Sequence, residues 1–591
     1  MSSYSVGPNR KRSCINGLLC FYFTRTPKTL LVATIMAARN HVCLLVELMI
    51  IAIASLKLAT FCRAKEGQWQ LLLNNTGVVA MHMAVTHLNT VIMFDQTGAG
   101  PSSYRLRRSF TSGRRCTDDS SDESCYAHSI EYDISSNYIR AMRLETDPWC
   151  SSGSFLSNGT LLQTGGYGNG SRRIRYFRPC WDGRCDWVQS KISMSSRRWY
   201  SSNQILPEDD RVLIAGGRRV FSYEFVPKLS STDESHDLPF LHQTYDRNGG
   251  GNNLYPFLHL SSDGNLFIFA NRDSILFNYK QNKVIKTFPR MPGKGSRSYP
   301  SSGSSVILPL EHGHKFRKVE VMVCGGAAPG AHRAAGRGKF LKGLKSCGRM
   351  EITGNKHKWK MENMPGPRLM NDMIILPTGH ILIVNGARRG SAGWNNAAGP
   401  SLVPYLYKPK KALGRRFSML KSTKIARLYH SSASLLPDGR ILVAGGNPNQ
   451  QYVFENVTYP TELRLQAFMP HYMDRRYHKY RPENVTIETQ GDRSVKYGED
   501  FTVRFWLGRS SSKVVEFSIY APPFTTHSLS MNQRLLKLLS KNTVRDAAKG
   551  WVNVTVEAPP SPNVAPPGYY MLTVVNGGIP SISQWIRFMH A

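Results

Sequence analysis

Short apolar runs that stop at glycine or another small residue recur along the chain: NTVIMFDQTG, NGTLLQTGG, DRVLIAGG, DGNLFIFAN, VEVMVCGG, TGHILIVNG and DGRILVAGG. Most are entered from a turn built on Asp, Asn or Gly and are rich in Val, Ile, Leu and Phe, which predicts buried β-strands rather than helices. From the second run onward the ends fall near 165, 216, 270, 325, 386 and 445, a period of roughly 50 to 60 residues. A period near 50 with a turn, a β-branched strand and a Gly-Gly pair is the kelch pattern of a β-propeller. Each unit is a four-stranded sheet that cannot bury both faces alone, so units pack as blades around a channel. Seven runs predict seven blades.

After about residue 480 the repeat stops. RPENVTIETQGDRSVKYGEDFTVRFWL, VVEFSIYAPPFTTHSLSMNQRLLKL and GYYMLTVVNGGIPSISQWIRF carry alternating strands at the spacing of an immunoglobulin-like sandwich. The expected fold is all-β: a seven-bladed kelch-type propeller over 67–475 and a C-terminal immunoglobulin-like β-sandwich over 482–591, joined by the polar segment HYMDRRYHKYRP that ends in proline.

Residues 1–64 read as an N-terminal extension and a signal peptide. The apolar run at 42–61 is preceded by Arg39 and interrupted by Glu47 and Lys57, and Cys62 and Ala64 offer small residues for cleavage. A signal anchor with a short cytoplasmic tail is the alternative. Cleavage after Ala64 leaves seven cysteines, of which 116 with 125, 180 with 185 and 324 with 347 are natural close pairs. Cys150 is then left over, unless it pairs with one of the nearby four. Sequons at Asn74, Asn158, Asn169, Asn456, Asn484 and Asn553 agree with a secreted glycoprotein, extracellular or in a cell wall.

Composition narrows the partners. Seventy-six Lys and Arg against 40 Asp and Glu give a formal charge of +36, which attracts polyanions. No zinc-finger spacing, helix-turn-helix or RNP pattern accompanies it, so a nucleic acid is not expected. A solvated surface accounts for the surplus, and an acidic wall polysaccharide is the candidate macromolecular partner. The chain is expected to be a monomer.

Chemistry enters where the repeat units are compared. RRWYSSNQILPEDDRVLIAGG and ARLYHSSASLLPDGRILVAGG place Tyr200 and Tyr429 each 16 residues ahead of the first glycine of the Gly-Gly pair. A third unit, DPWCSSGSFLSNGTLLQTGG, carries Cys150 in the corresponding stretch. Equivalent positions of different blades surround the axis, so Cys150, Tyr200, Tyr429 and His430 are expected at one mouth of the channel. Phenolates with imidazoles make a mixed N,O set suited to tetragonal Cu(II). A phenol with a pKa near 10 needs such a cation to ionise at neutral pH. Ordinary packing is the competing account of the tyrosines, and Tyr255 and Tyr299 in similar settings warn that tyrosine here is not diagnostic by itself.

On PWCSSG, RRWYSS, RLYHSSASLLPDGR and PPFTTHSLSMNQR the chain resembles the galactose oxidase / glyoxal oxidase family of copper-radical oxidases, most closely the plant glyoxal-oxidase-like aldehyde oxidases, over almost all of residues 67–591. The resemblance implies a Cys150–Tyr200 thioether radical cofactor, with copper held by Tyr200, Tyr429, His430 and His527, the last delivered by the sandwich. It implies Tyr429 as general base and oxidation of a small aldehyde by O2 to a carboxylic acid with release of H2O2. The galactose oxidase branch stacks a tryptophan on the cross-linked tyrosine, and no equivalent is assignable from sequence. Two alternatives stay open: an oxidase of primary alcohols such as galactose, and a non-catalytic kelch protein that binds carbohydrate or protein.

Overall fold

A computed structural model of the chain describes residues 66–590, apart from 107–109, 112–113, 116–124, 209, 229, 231, 490–492, 512–513 and 547, together with residues 47 and 49. The expected leader and Cys116 therefore lie outside the described residues. Among the described residues no helix is long and apolar enough to cross a membrane.

Seven antiparallel four-stranded units follow one another along the chain. Their inner strands are His82–Val85, Ser152–Phe155, Ser202–Ile205, Phe257–Leu260, Ser304–Ile307, Asp372–Ile375 and Ser431–Leu435. The seven glycine-ended runs of the sequence are the second strands, from Thr90–Phe94 in blade one to Ile441–Gly445 in blade seven. Neighbouring inner strands pack side by side around a ring, which makes the propeller, except that strand Phe524–Thr526 stands between those of blades one and two. Blade seven takes its outermost strand from the other end of the chain. Gln68–Leu73 pairs antiparallel with Leu465–Met469, setting Trp69 opposite Phe468 and closing the ring with backbone hydrogen bonds.

A set of buried arginines explains why the Gly-Gly pairs recur. Arg175, Arg198, Arg297 and Arg427 donate to the carbonyls of Gly165, Gly216, Gly325 and Gly445 at 2.9, 2.7, 2.6 and 2.7 Å, and Arg368 donates to Asn385 at 2.9 Å. All five are buried. A buried guanidinium needs partners for its donors; the strand-end carbonyl takes a terminal N–H in blade after blade, while Nε of Arg175, Arg297, Arg368 and Arg427 has no hydrogen-bond partner among the described residues. Part of the basic surplus thus lies inside the propeller rather than on a solvated surface.

The sandwich pairs one sheet, Glu483–Glu488, Asp500–Trp506, Trp551–Glu557 and Ser540–Asp546, with a second built on Val515–Ala521, Arg534–Leu538, Gly568–Asn576 and Gln584–Met589. From the second sheet a hairpin, Phe524–Thr526 and Leu529–Met531, enters the propeller hub. It pairs with the inner strand of blade one, Thr526 opposite His82 and Phe524 opposite Ala84. Gly153 in blade two leaves room for it: a Cβ there would lie 2.4 Å from the Phe524 ring. Gln533 anchors the hairpin's base, accepting from the Ile375 N–H at 2.7 Å and donating to the Met373 carbonyl at 2.9 Å. The sandwich is therefore part of the hub, not an appendage.

Of the expected disulfides, Cys180–Cys185 and Cys324–Cys347 form. Cys125 is disulfide-bonded, with its expected partner outside the described residues. Cys150 is a free, buried cysteine.

Candidate metal centre at the propeller hub

The backbone corrects the register read from sequence. In blade three Ser202 pairs with Ala215, so Ser201 faces Gly216; in blade seven Ser431 pairs with Gly445; in blade two Ser152 pairs with Thr164, so Ser151 faces Gly165. The residue one step earlier is Tyr200, His430 and Cys150. The partner of Tyr200 in this register is thus His430, and Tyr429 matches Trp199 and Trp149. The count of 16 misleads because the turn after the inner strand is one residue longer in blade three, 206–211 against 436–440. Blades four, five and six place Tyr255, Ser302 and Met370 at the same position. All six residues have left-handed backbone, with φ of 53° at Cys150, 67° at Tyr200, 48° at Tyr255, 45° at Ser302, 55° at Met370 and 59° at His430. The conformation swings each side chain off the strand start, and backbone bonds link blade to blade: Tyr200 N–H to the Cys150 carbonyl at 3.0 Å and Tyr255 N–H to the Tyr200 carbonyl at 2.9 Å.

His527 arrives differently. It and Ser528 form the two-residue tip of the inserted hairpin, with φ of 46° and 74°. Two positive φ values in a two-residue loop suit a type I′ turn, where Asn-Gly is usual. Using His-Ser costs strain, which is tolerated where the surrounding structure fixes the turn.

Cys150, Tyr200, Tyr429, His430 and His527 are all buried and converge. Cys150 Sγ lies 3.2 Å from His527 Nε2, and donor atoms of Cys150, His430 and His527 all lie within 4.8 Å of one another. The rings of Tyr429 and His430 stack at 3.9 Å, and the His527 ring is 5.0 Å from His430, 5.5 Å from Tyr429 and 6.1 Å from Tyr200. A void of about 10 Å³ lies against Met370, Tyr429, His430, His527 and Ser528, room for little more than one small particle.

Sequence reasoning left out several neighbours. Tyr299 bridges the two phenols: its hydroxyl donates to Tyr200 Oη at 3.1 Å and shares a 2.8 Å hydrogen bond with Tyr429 Oη. Its ring stacks on Tyr200 at 4.4 Å, while Trp199, the indole that could not be assigned, lies 4.7 Å away and tilted. Trp149 then stacks on Trp394 at 4.8 Å, so half-buried indoles continue outward from Tyr200. Thr526 Oγ1 bonds His527 Nδ1 at 2.7 Å, which leaves Nε2 facing Cys150. His82 is close as well, but Phe94 and Ser151 take its two nitrogens at 3.2 and 3.1 Å, so it is a satisfied core histidine.

The hub is short of one charge. Burial lifts the Tyr200 phenol well above its ordinary pKa, with Cys150 and Tyr299 adding to the effect, and does the same to Tyr429. Burial likewise raises the Cys150 thiol and holds His430 and His527 well below the ordinary imidazole value. Left to themselves these groups stay neutral. Yet both ring nitrogens of His430 are buried with no hydrogen-bond partner, a desolvation cost with nothing in the protein to offset it. A cation seated among these groups relieves His430 and lets the phenols ionise. The two nitrogens and two phenol oxygens match tetragonal Cu(II). Cys150 with the two histidines would also suit tetrahedral zinc, a set broken if the sulfur is bonded to Tyr200.

Fold and hub together define a propeller-and-sandwich protein with a buried mixed-donor metal centre. The chain belongs to the glyoxal oxidase family: the "Glyoxal oxidase N-terminus" family matches residues 81–472, and the "Galactose oxidase-like, Early set domain" family matches 481–588. It is 42% identical to the "Aldehyde oxidase GLOX" of Vitis pseudoreticulata over 88% of this chain and 97% of that one. It is 43% identical to the "Aldehyde oxidase GLOX1" of Arabidopsis thaliana over 88% of this chain and 85% of that one. A galactose oxidase of Gibberella zeae is 26% identical over 75% of this chain and 61% of its own. Among solved structures, a fungal alcohol oxidase in complex with copper superposes with a TM-score of 0.66, over 89% of this chain and 99% of that one, at 17% identity, a likeness of fold.

Proposed function

We propose that the protein is a copper-radical aldehyde oxidase that converts an aldehyde, as its hydrate, and O2 to a carboxylic acid and H2O2. The observation that carries this reading is the meeting, in one buried cluster, of Cys150, Tyr200, Tyr429, His430 and His527 from separate stretches of chain, with His430 lacking any hydrogen-bond partner among the described residues.

Tyr200, Tyr429, His430 and His527 would hold the copper. Cys150 and Tyr200 precede adjacent inner strands and share a backbone hydrogen bond, so joining sulfur to ring, a two-electron oxidation in which O2 would take the thiol and ring hydrogens as H2O2, needs no rearrangement of the blades. Bound copper would supply one of the two oxidising equivalents and the Tyr200 radical the other, and O2 would take one electron back from each. The Tyr429 phenolate oxygen takes the proton of a substrate hydroxyl as general base. Tyr200, oxidised to its radical, takes the hydrogen atom from the substrate carbon. Tyr299 donates to one phenol oxygen at a time, which steadies whichever carries more charge. The half-buried Trp149, Trp199 and Trp394 beside Tyr200 suit a small substrate rather than a bulky sugar.

We read the chain as secreted into an extracellular matrix or wall. The six sequon asparagines, Asn74, Asn158, Asn169, Asn456, Asn484 and Asn553, are all exposed, as glycan attachment requires, and the disulfides agree with an oxidising compartment. The excess of Lys and Arg suits an acidic polysaccharide as its surroundings.

The test is direct. Copper-loaded protein is expected to release peroxide from methylglyoxal and glyoxal faster than from galactose, and a digest should contain the Cys150 and Tyr200 peptides joined and two hydrogens lighter. Absence of both the peroxide and the joined peptides would sink the assignment.

A further inference from the structure

A second feature lies at the opposite end of the inner strands from the hub. A cleft of about 760 Å³ opens where the turns of blades five and six, around Pro309 and Gly379, face the sandwich at Val514 and Gly577. Its volume is that of an ordinary ligand site, and its walls are rich in cations. Lys318, Arg349, Lys408, Lys410, Lys411 and Lys537 line it, against three carboxylates. Each carboxylate is already taken: Glu311 by Lys410 at 2.9 Å, Glu516 by Lys537 at 2.9 Å, and Glu320 by Arg349. Lys408 and Lys411 have no carboxylate partner among the described residues.

Two further observations point to a missing anion. His380 in the cleft wall has a buried Nδ1 with no hydrogen-bond partner. Its pKa is pushed down to about 4, first by burial and then by Lys408, His471, Lys537 and Lys411. The surrounding cations thus add to burial in keeping this imidazole neutral, and low-dielectric walls focus the field of those cations outward onto anions.

The arrangement favours a polymer of spaced carboxylates. The arginine is engaged by Glu320, so no free guanidinium fork is present to grip a single phosphate bidentately. The free cations are lysines, point charges that tolerate varied spacing. No Phe, Tyr or Trp lines the cleft, which leaves it without the broad stacking platform that single-stranded nucleic acids use.

We propose that this cleft is the docking groove for an acidic polysaccharide, a run of uronate residues, with Lys408 and Lys411 as the cations left free to bind it. The inference rests on the reading that the chain works in an extracellular matrix, and it gives that partner a site. The groove tethers the enzyme to its matrix while the hub mouth, at the other end of the strands, stays open to small aldehydes.

Titration calorimetry of the full chain with polygalacturonate tests the assignment, and it is independent of turnover. Wild-type protein is expected to bind the polymer and to weaken as salt shortens the screening length from about 30 Å to about 8 Å. Neutral dextran should not bind. Lys408→Glu with Lys411→Glu should weaken binding by about tenfold or more. The surface control Lys191→Glu with Lys283→Glu should stay within about twofold. Lys408→Gln with Lys411→Gln covers the case in which charge reversal harms folding, judged by melting temperature. If wild-type protein ignores polygalacturonate, the matrix reading fails and the groove with it. If it binds but the cleft and control variants weaken alike, the matrix reading survives and the groove is wrong. Equal affinity for monomeric galacturonate, or tighter binding to DNA than to polygalacturonate, would overturn the polymer assignment.

Discussion

Blades two, three and seven place Cys150, Tyr200 and His430 at one backbone position, and blades four, five and six place Tyr255, Ser302 and Met370 at the same one. All six residues are left-handed, and all six are buried. A strained residue in a buried site commonly prompts a search for function. Here the strain is the propeller's own, a way of starting six of the inner strands, and only half of the strained positions carry a residue proposed for the reaction. What separates the two sets is side-chain chemistry more than position: the His527 tip approaches Cys150 and His430 but also Tyr255, while Ser302 and Met370 border the small void. The repeat supplies a ring of equivalent sockets, and the reaction uses three of them.

The sharpest way to break that comparison is to alter one socket of each kind. Tyr200→Phe or Cys150→Ser should reduce peroxide release from methylglyoxal by more than about 10⁴-fold, since neither the radical nor its cross-link can then form. The joined peptide should vanish from the mass spectrum in both variants. Met370→Leu, at the same backbone position in blade six, should stay within about threefold, as expected of a volume-conserving exchange. Equal losses at Met370 and Tyr200 would mean the ring of sockets matters only as scaffold.

Next in size is the metal. Copper that binds only the folded chain stabilises it by about 2.7 kcal/mol at a hundredfold excess over its dissociation constant. Wild-type protein should therefore melt higher with copper and lose the increment on chelation. His430→Ala should lose it in advance, and because that variant also removes two unpartnered nitrogens, its metal-free form should be no less stable than the wild type apart from the cavity it leaves. A copper increment that persists in His430→Ala would move the metal elsewhere.

Much of this was legible in the sequence, and the failures have physical causes. Glycine-ended strands read correctly as blades because the strand end takes a positive φ that glycine adopts freely: Gly216 and Gly217 have φ of 76° and 133°, with Asn385 at 61° filling the place in blade six. The register of Tyr200 with Tyr429 was misread because a single extra turn residue in blade three changes the count without changing the strand. The ring-closing strand Gln68–Leu73 was invisible because its partner lies nearly four hundred residues away and its faces are only half-buried. Tyr299 was dismissed with Tyr255 because both precede proline in similar settings, and hydroxyl direction is not written in spacing. The His527 tip could not be predicted as a type I′ turn, since neither His nor Ser is a residue that such turns select.

Tyr299 offers a finer test of where the chemistry stops. Its ring stacks on Tyr200 and its hydroxyl reaches both phenols, yet it belongs to blade five, whose socket residue is Ser302. Tyr299→Phe keeps the stack and deletes the bridge. Each hydrogen bond lost is worth about 0.5–1.5 kcal/mol, so turnover should fall about tenfold while copper content and the joined peptide persist. The pH profile of kcat should also shift, because the phenol partner that shared a proton with Tyr429 is gone. A tenfold loss accompanied by loss of copper would instead make Tyr299 structural.

The smallest expected effect concerns blade six again, two residues beyond the socket. Ser152, Ser202, Ser304 and Ser432 stand two residues past the socket in blades two, three, five and seven; blade six has Asp372 there, buried, with Asn385 Nδ2 donating to it at 2.7 Å. Burial raises its pKa from 3.8 to about 7, with the Asn385 bond offsetting part of the rise. The unfolded chain therefore gives up this proton first as pH rises, so the carboxyl's contribution to stability is whole below about pH 4, declines between 4 and 7, and is level above. Wild-type melting temperature should fall across that window by a few degrees more than that of Asp372→Asn, whose side chain cannot titrate. Asp95 in blade one, also raised to about 7 by burial, contributes a parallel slope that remains in the variant, so the variant's curve should be flatter and not flat. Parallel curves would mean that Asp372 is ionised in the folded state, and that blade six holds a buried charge where its neighbours hold a hydroxyl.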